Sequence, residues 1–492
     1  MSSLKKEINI VWLKRDLRSQ DHEPLFYAEN AGLPYLILYL FEPELIEYYD
    51  TSQRHLRFCW ESIVNLNQTF NRIDRRIEVM YCNAIEAFQW LNENFNIREV
   101  FSYQESGVEI TWDRDKKVKA FCDEHDIVWK EFEKDGLIRG INNRDGWDGN
   151  WYGTMNKSVI QNEYSSEKIV KLLDVIFPLP QELQASLTET QNNFQPGGET
   201  YGWKYLQSFM EGRGQSYHWQ ISKPESSRTS CSRISPYLAW GNLSVRQAYL
   251  YIKNHRDFKN HKRAYQGCLT RLKWRSHFVQ KFEVECEYEN RCINRGYELL
   301  KREHNPAKVY AWKSGLTGYP LVDACMRCLQ ETGWINFRMR AMVVSFLCHH
   351  LDQDWREGVY HLAQMFLDYE PGIHYPQFQM QAGTTGVNTV RMYNPIKQSL
   401  DHDPKGVFIR NWVPELRNVT EEHIHEPFKM TLIEQNLCST IIGKDYPMPI
   451  IDLVESGKIA REKIWGHRSH PLVQKEQKRI LKTHTRRSNA SQ

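Results

Sequence analysis

The sequence predicts an α/β domain on a parallel five-stranded sheet, Rossmann-like in outline, followed by a connector and a larger all-helical domain. Three observations carry that expectation. Up to about residue 130, short apolar runs alternate with longer amphipathic stretches. From residue 197 to about 440 the apolar residues recur at helical spacing. The chain's 492 residues exceed what one ordinary hydrophobic core organises.

In chain order, residues 8–13, 35–40, 77–81, 99–103 and 127–131 are apolar runs of strand length. Residues 54–71, 84–95 and 112–125, between them, place their apolar side chains on one helical face. This alternation implies parallel strands joined by crossover helices, with any ligand at the carboxyl edge of the sheet. No G-x-G-x-x-G follows the first strand; Lys14-Arg15-Asp16-Leu17-Arg18 follows instead, so dinucleotide binding in this half is not supported. We place the α/β domain at 1–135, a weakly patterned connector at 136–195 and the helical domain at 196–455. The Pro- and Gly-rich stretch 370–389 is expected to be irregular. Residues 456–492 form a basic segment, in which Lys458, Arg461, Lys463, Arg468, Lys475, Lys478, Arg479, Lys482, Arg486 and Arg487 face only Glu462 and Glu476. Such a run is a solvated helix face, a frayed tail or a nucleic-acid contact.

Composition narrows the class. No apolar run approaches the length of a membrane span. Met1-Ser-Ser-Leu-Lys-Lys-Glu lacks the apolar core of a secretory signal, so a soluble cytoplasmic protein with free thiols is expected. Of eleven cysteines only Cys325 and Cys328 form a CxxC; without a second pair or a nearby His pair they read as buried thiols, and no metal is expected. Sixteen Trp, 25 Tyr and 21 Phe suit a large helical core, and equally a protein that stacks flat rings.

Several strings of the helical half resemble those of the photolyase/cryptochrome family. They are Gly197-Gly198-Glu199, Ser232-Arg-Ile-Ser-Pro-Tyr-Leu-Ala-Trp-Gly241, Leu272-Lys-Trp-Arg275, Trp312 with Gly315 to Asp323, Thr332-Gly-Trp-Ile-Asn336 with Arg338 and Arg340, Asp354-Trp-Arg-Glu-Gly358, and Tyr393-Asn-Pro395 with Gln398. The opening Val11-Trp-Leu-Lys-Arg-Asp-Leu-Arg18 is similar too, so the likeness runs over almost the whole chain.

The resemblance implies FAD in the helical half. Cys231, Ser232, Arg233, Ile234 and Ser235 offer hydroxyls and successive N–H groups ahead of a helix, as a pyrophosphate needs, with Tyr217 nearby. Cys231 replaces the family's usual Thr and removes a hydroxyl donor. Arg340 and Asp368 match an ion pair beside the flavin ring, with Tyr369 and Glu370 following; a fixed cation there favours a reduced anionic flavin. Arg275 matches a position near the cofactor and, with Arg271 one turn away, suits phosphate binding.

Near the ring the sequence departs from the family. His374 stands where the residue facing flavin N5 is expected, and an imidazole there would gate the flavin's protonation state near neutral pH. In the family's tryptophan triad Trp355 matches the middle member, Phe378 replaces the ring-proximal Trp, and the outer place falls near Arg302. Photoreduction then needs another route, through Tyr369, Tyr375 or other tryptophans. At the lesion pocket Trp274 matches one wall and Met380 replaces the other Trp. Arg271 replaces a Glu and has donors but no acceptor. Arg338 and Gln398 match positions that approach DNA. Phe337 and Ala341 occupy the places of two histidines that accompany repair of (6-4) photoproducts.

The leading expectation is therefore a monomeric, light-driven photolyase acting on cyclobutane dimers in single- or double-stranded DNA. The alternative is a cryptochrome-type photoreceptor without repair, and a weaker one is a non-catalytic nucleic-acid-binding flavoprotein. An antenna pigment, of folate or flavin/deazaflavin type, is a further implication, with Lys14, Arg15, Glu105 and Trp112 near the expected sheet edge.

Overall fold

The computed structural model describes residues 5–189 and 193–484; Arg486 and Arg487 of the basic segment lie outside them. The strands are β1 (Glu7–Leu13), β2 (Tyr35–Leu40), β3 (Ile77–Met80), β4 (Asn96–Tyr103) and β5 (Val128–Phe132). They form one parallel sheet of order β3-β2-β1-β4-β5. Strands β1 and β2 are buried on both faces, which is why their sequences are continuous apolar runs and do not alternate. The sheet is covered by α1 (Glu23–Asn30), α2 (Gln53–Phe70), α3 (Ala84–Asn94) and α4 (Glu109–Glu124). Only α1, a short helix whose second residue is Pro24, escaped the periodicity.

The remainder is helical. The helices that build the site are α5 (Ser235–Ala239), α6 (Lys262–Val284), α7 (Pro320–Thr332), α8 (Phe337–Ser345), α9 (Arg356–Met365), α10 (Pro371–Ala382) and α11 (Pro395–His402). The basic segment folds as α12 (Leu453–Arg468) and α13 (Pro471–His484). Val473 and Ile480 are buried, and Lys463 donates to Asp352 at 2.5 Å, so part of its charge is spent inside the fold. Both cysteines of the CxxC are buried in α7, where loss of solvent pushes the Cys328 thiol up to about 11.

One expectation fails: 370–389 is not irregular throughout, because 371–382 is the helix α10. Pro371 sits at the first helical position, where its missing N–H leaves nothing unpaired. Pro376, inside the helix, forfeits one backbone bond, and burial of α10 along α6 outweighs that loss. Gln379 adds to the hold: its Nε2 donates to the carbonyls of Tyr288 and Arg291, both at 2.8 Å.

The two halves meet through the loop after β1. The Leu17 N–H donates to the Trp240 carbonyl at 3.3 Å, Asn242 Nδ2 to the Leu17 carbonyl at 2.9 Å, and Arg18 Nη1 to the Gly241 carbonyl at 3.2 Å. Arg15 lies 4.3 Å from the centre of the Trp240 ring and donates to the Tyr369 carbonyl at 2.8 Å. Gly241 sits at the closest approach with φ 75°, and a Cβ there would come within 2.2 Å of the Arg15 carbonyl oxygen. Gly241→Ala is expected to cost about 2 kcal/mol or more through backbone strain and overpacking. Chemical denaturation measures it, and a cost near zero would mean the loop moves aside freely.

Candidate functional site

The 231–235 loop, α6, the Trp334–Asn336 turn with α8, and α10 enclose a cavity of about 820 Å3. That volume suits a large cofactor. Tyr217, Cys231, Ser232, Arg233, Ile234, Ser235, Arg271, Trp274, Arg275, Arg338, Arg340, Asp368, Tyr369, Glu370, His374, Phe378 and Met380 all line it, while Trp355 and Gln398 do not.

The loop is shaped by arginines that the motif reading left unexplained. Arg233 takes a left-handed backbone (φ 59°); its Nε and Nη2 donate to Gln195 Oε1 at 3.1 and 2.8 Å, and its guanidinium stacks 4.1 Å from the centre of the Trp334 ring. Arg213 donates to the carbonyls of Cys231 (2.5 Å) and Ser232 (3.2 Å). With the carbonyls tied back, the N–H groups of Ser232, Arg233, Ile234 and Ser235 have no acceptor among the described residues. Successive free N–H groups beside two serine hydroxyls make an anion cradle. Burial pushes the Cys231 thiol up to about 12, so it stays neutral.

A second wall carries fixed charge. Arg340 Nη2 donates to Asp368 Oδ2 at 2.8 Å and Nε to the Ile335 carbonyl at 2.9 Å, with the guanidinium 3.9 Å from the centre of the Phe366 ring. The sequence-matched pair is thus formed in space. Arg275 is held inside the fold: Nη1 donates to Asp135 Oδ2 (3.0 Å), while Nη2 donates to Glu370 Oε2 (2.7 Å) and the Leu238 carbonyl (3.0 Å). Gln398 is buried, at 8% exposure, on α11. Arg271 and Arg338 remain at the cavity, with Trp274 49% exposed and the Arg271 guanidinium 5.9 Å from its ring centre.

His374 does not behave as a titrating gate. Burial lowers its pKa to about 4, with Arg340 adding to the effect, and Nε2 lies 2.8 Å from the Val359 carbonyl. The ring is neutral at physiological pH, donating from Nε2. Phe378 separates it from Trp355, with ring centres 5.8 Å from His374 and 6.5 Å from Trp355. Trp355 is buried, and Arg302 beyond it is committed to the Cys348 carbonyl (2.6 Å) and Asp352 (3.0 Å).

At the sheet edge the space bounded by Lys14, Arg15, Glu42, Glu105 and Arg114 is about 110 Å3, room for a few waters. Arg114 pairs with Glu42 (2.9 Å), Glu105 (2.6 Å) and Asp115 (2.8 Å), and Lys14 with Asp115 (3.0 Å). A folate or flavin ring does not fit there without opening this network, and Trp112 is covered by Arg139 at 4.3 Å. The helical-half cavity, by contrast, fits FAD by volume, anion cradle and fixed cation together.

Residues that motif reading missed are Gln195, Arg213 and Asp135. Each acts from a distant part of the chain on a motif residue, and no local spacing marks it.

Residues 9–143 match the family model described as DNA photolyase, and residues 268–466 that described as the FAD binding domain of DNA photolyase. The chain is 27% identical to a cryptochrome DASH of Synechocystis sp., over 92% of this chain and 97% of the relative. It is 28% identical to a deoxyribodipyrimidine photo-lyase of Alkalihalophilus pseudofirmus, over 90% and 95%. A crystal structure of a Synechocystis cryptochrome superposes with a TM-score of 0.84 at 24% identity, covering 94% of this chain and 100% of that one.

His55 and His349 are pushed by burial to about 3, and His350, His361 and His374 to about 4, from an ordinary 6.5. The unfolded chain binds more protons between those values, so stability is lost as pH falls from 6.5 towards 4. The urea midpoint is expected to drop over that window, less steeply in His374→Asn. A His374 NMR titration near pH 6.5 would contradict the burial.

Proposed function

We propose that this chain, which belongs to the photolyase/cryptochrome family, is an FAD-dependent enzyme that uses light to repair cyclobutane pyrimidine dimers in single- and double-stranded DNA. It acts as a soluble cytoplasmic monomer. Among the described residues no helix is long and apolar enough to cross a membrane. The observation that carries the reading is the meeting, in one cavity, of the 231–235 anion cradle, the Arg340–Asp368 pair and a half-exposed Trp274.

Bound FAD, reduced and excited by light, supplies the electron that splits the dimer. The chain's own residues do the rest. The N–H groups at 232–235 and the hydroxyls of Ser232 and Ser235 hold the pyrophosphate. Arg340, kept in place by Asp368 and Ile335, sets a fixed positive charge against the ring and favours its reduced anionic form. Trp274 and Met380 pack against pyrimidines turned out of the helix. Arg271 and Arg338 neutralise phosphates near the cavity. No general acid is required, and His374, neutral and donating to Val359, offers no ionisable proton.

A photoreceptor without repair is the second reading, and Arg271 is the observation that favours it. A guanidinium cannot accept hydrogen bonds from the base edges. An antenna pigment, if carried, sits away from the paired charges of the sheet edge.

The deciding experiment is repair of a cyclobutane thymine dimer, in single and double strands, by chemically reduced protein under blue light with a dark control. Light-dependent recovery of thymines is expected; none from fully reduced, FAD-loaded protein would leave the photoreceptor. Trp274→Ala should weaken binding of dimer-containing DNA by about tenfold, the value of one stacked base, with FAD content unchanged. Equal weakening on undamaged DNA would remove Trp274 from the lesion pocket.

A further inference from the structure

Behind His374 lies a row of tyrosines that reaches the surface. The His374 ring, which lines the cavity, is 5.3 Å from Tyr369 and 5.5 Å from Tyr375, centre to centre. Tyr375 is 6.4 Å from Tyr360, and Tyr360 is 5.5 Å from Tyr49, which is 68% exposed. The Tyr369 hydroxyl donates to Asp50 Oδ2 at 2.5 Å, and the Tyr375 hydroxyl oxygen lies 3.4 Å from it. Asp50 is itself buried and lines the small sheet-edge space, which has room for a few waters.

Two facts give this row a use. Oxidising a phenol makes its proton strongly acidic, so a tyrosine yields an electron readily only where a base waits for the proton. Asp50 is such a base, and burial raises its carboxyl above the ordinary range, which strengthens it. Towards Trp355 the path is poorer: Phe378, hard to oxidise, precedes Trp355, which is buried and shares a small space with Arg302.

We propose that Tyr369, Tyr375, Tyr360 and Tyr49, with Asp50 as proton acceptor, form the relay that carries electrons from solvent to a photoexcited oxidised flavin in the cavity. The proposal rests on reading that cavity as the FAD site. Tyr369 gives one electron to the photoexcited flavin, its O–H bond breaks, and the proton passes to the Asp50 carboxylate. The hole then passes outward: Tyr375 gives an electron to Tyr369 as Asp50 returns the proton, Tyr360 refills Tyr375 and Tyr49 refills Tyr360, Tyr375 and Tyr360 each keeping their own proton while they pass the electron on. The net loss is one electron and one proton from Tyr49, the proton going to water. A thiol in solution restores Tyr49 by giving up a hydrogen atom, and two thiyl radicals so formed join as a disulfide.

The test is laser-flash absorption and electron paramagnetic resonance on protein loaded with oxidised FAD, with dithiothreitol as reductant. A neutral tyrosyl radical is expected, formed more slowly in D2O. Tyr360→Phe and Tyr375→Phe should each slow steady-state photoreduction by about tenfold, equivalent to about 1.4 kcal/mol of barrier, with Trp355→Phe close to wild type. A tryptophanyl signal that disappears in Trp355→Phe would overturn the relay. So would unchanged photoreduction in the Tyr360→Phe, Tyr375→Phe double variant. The radical signature is read without DNA, so a tyrosyl signal in protein that repairs no dimer supports the relay while the repair reading fails.

Discussion

The seating of the loop after β1 in the helical half is the constraint on which the other features depend. Residues 15–18 lie against 240–242 so closely that only a glycine fits at 241. Asp21 then accepts from the Ser244 hydroxyl at 2.5 Å and from Arg246 Nε at 3.1 Å, and Glu199 Oε2 accepts from the Ser19 N–H at 2.9 Å. Asp135, just past the last strand, holds Arg275; Arg275 holds Glu370; and Glu370 is the residue before α10, the helix that forms a wall of the cavity. Buried ion pairs of this kind repay little net stability after desolvation. Their value lies in placement: Arg246 fixes Asp21, and Arg275 fixes Asp135 and Glu370 together.

Much of this was legible in the sequence, though unevenly. The sheet was readable because strands buried on both faces are apolar throughout, and α2, α3 and α4 because one face of each is. The cavity walls were readable because the family strings fall on them. The helix at 371–382 was not, since two prolines and a glycine argue locally against what packing along α6 imposes. Arg275 was half-read: its position was right and its partners invisible, because Asp135 and Glu370 lie 140 and 95 residues away. His374 lines the cavity, and its protonation was not legible, because an imidazole's pKa follows its solvent exposure and sequence does not carry that.

Around the cavity, scaffold and chemistry fall to different residues. The arginines most deeply committed, Arg233, Arg213 and Arg275, spend hydrogen-bond donors on holding backbone and neighbouring side chains in place. Arg271, Arg338 and Trp274 are the side chains left to face a ligand. Changes that alter what the protein binds can therefore accumulate in the second group while the cofactor-sized space persists. A cryptochrome and a photo-lyase among the relatives of one chain are consistent with that division.

The peptide connection between the halves is, by contrast, open at one point. Leu173 is fully exposed and Val175 is 78% exposed, between Val170, whose N–H donates to the Tyr35 carbonyl, and Phe177, whose carbonyl accepts from the Tyr81 N–H, whereas the clamp at 15–21 is mostly buried. A single cut near residue 174 would leave two polypeptides with their interface intact, travelling as one particle until a denaturant parts them.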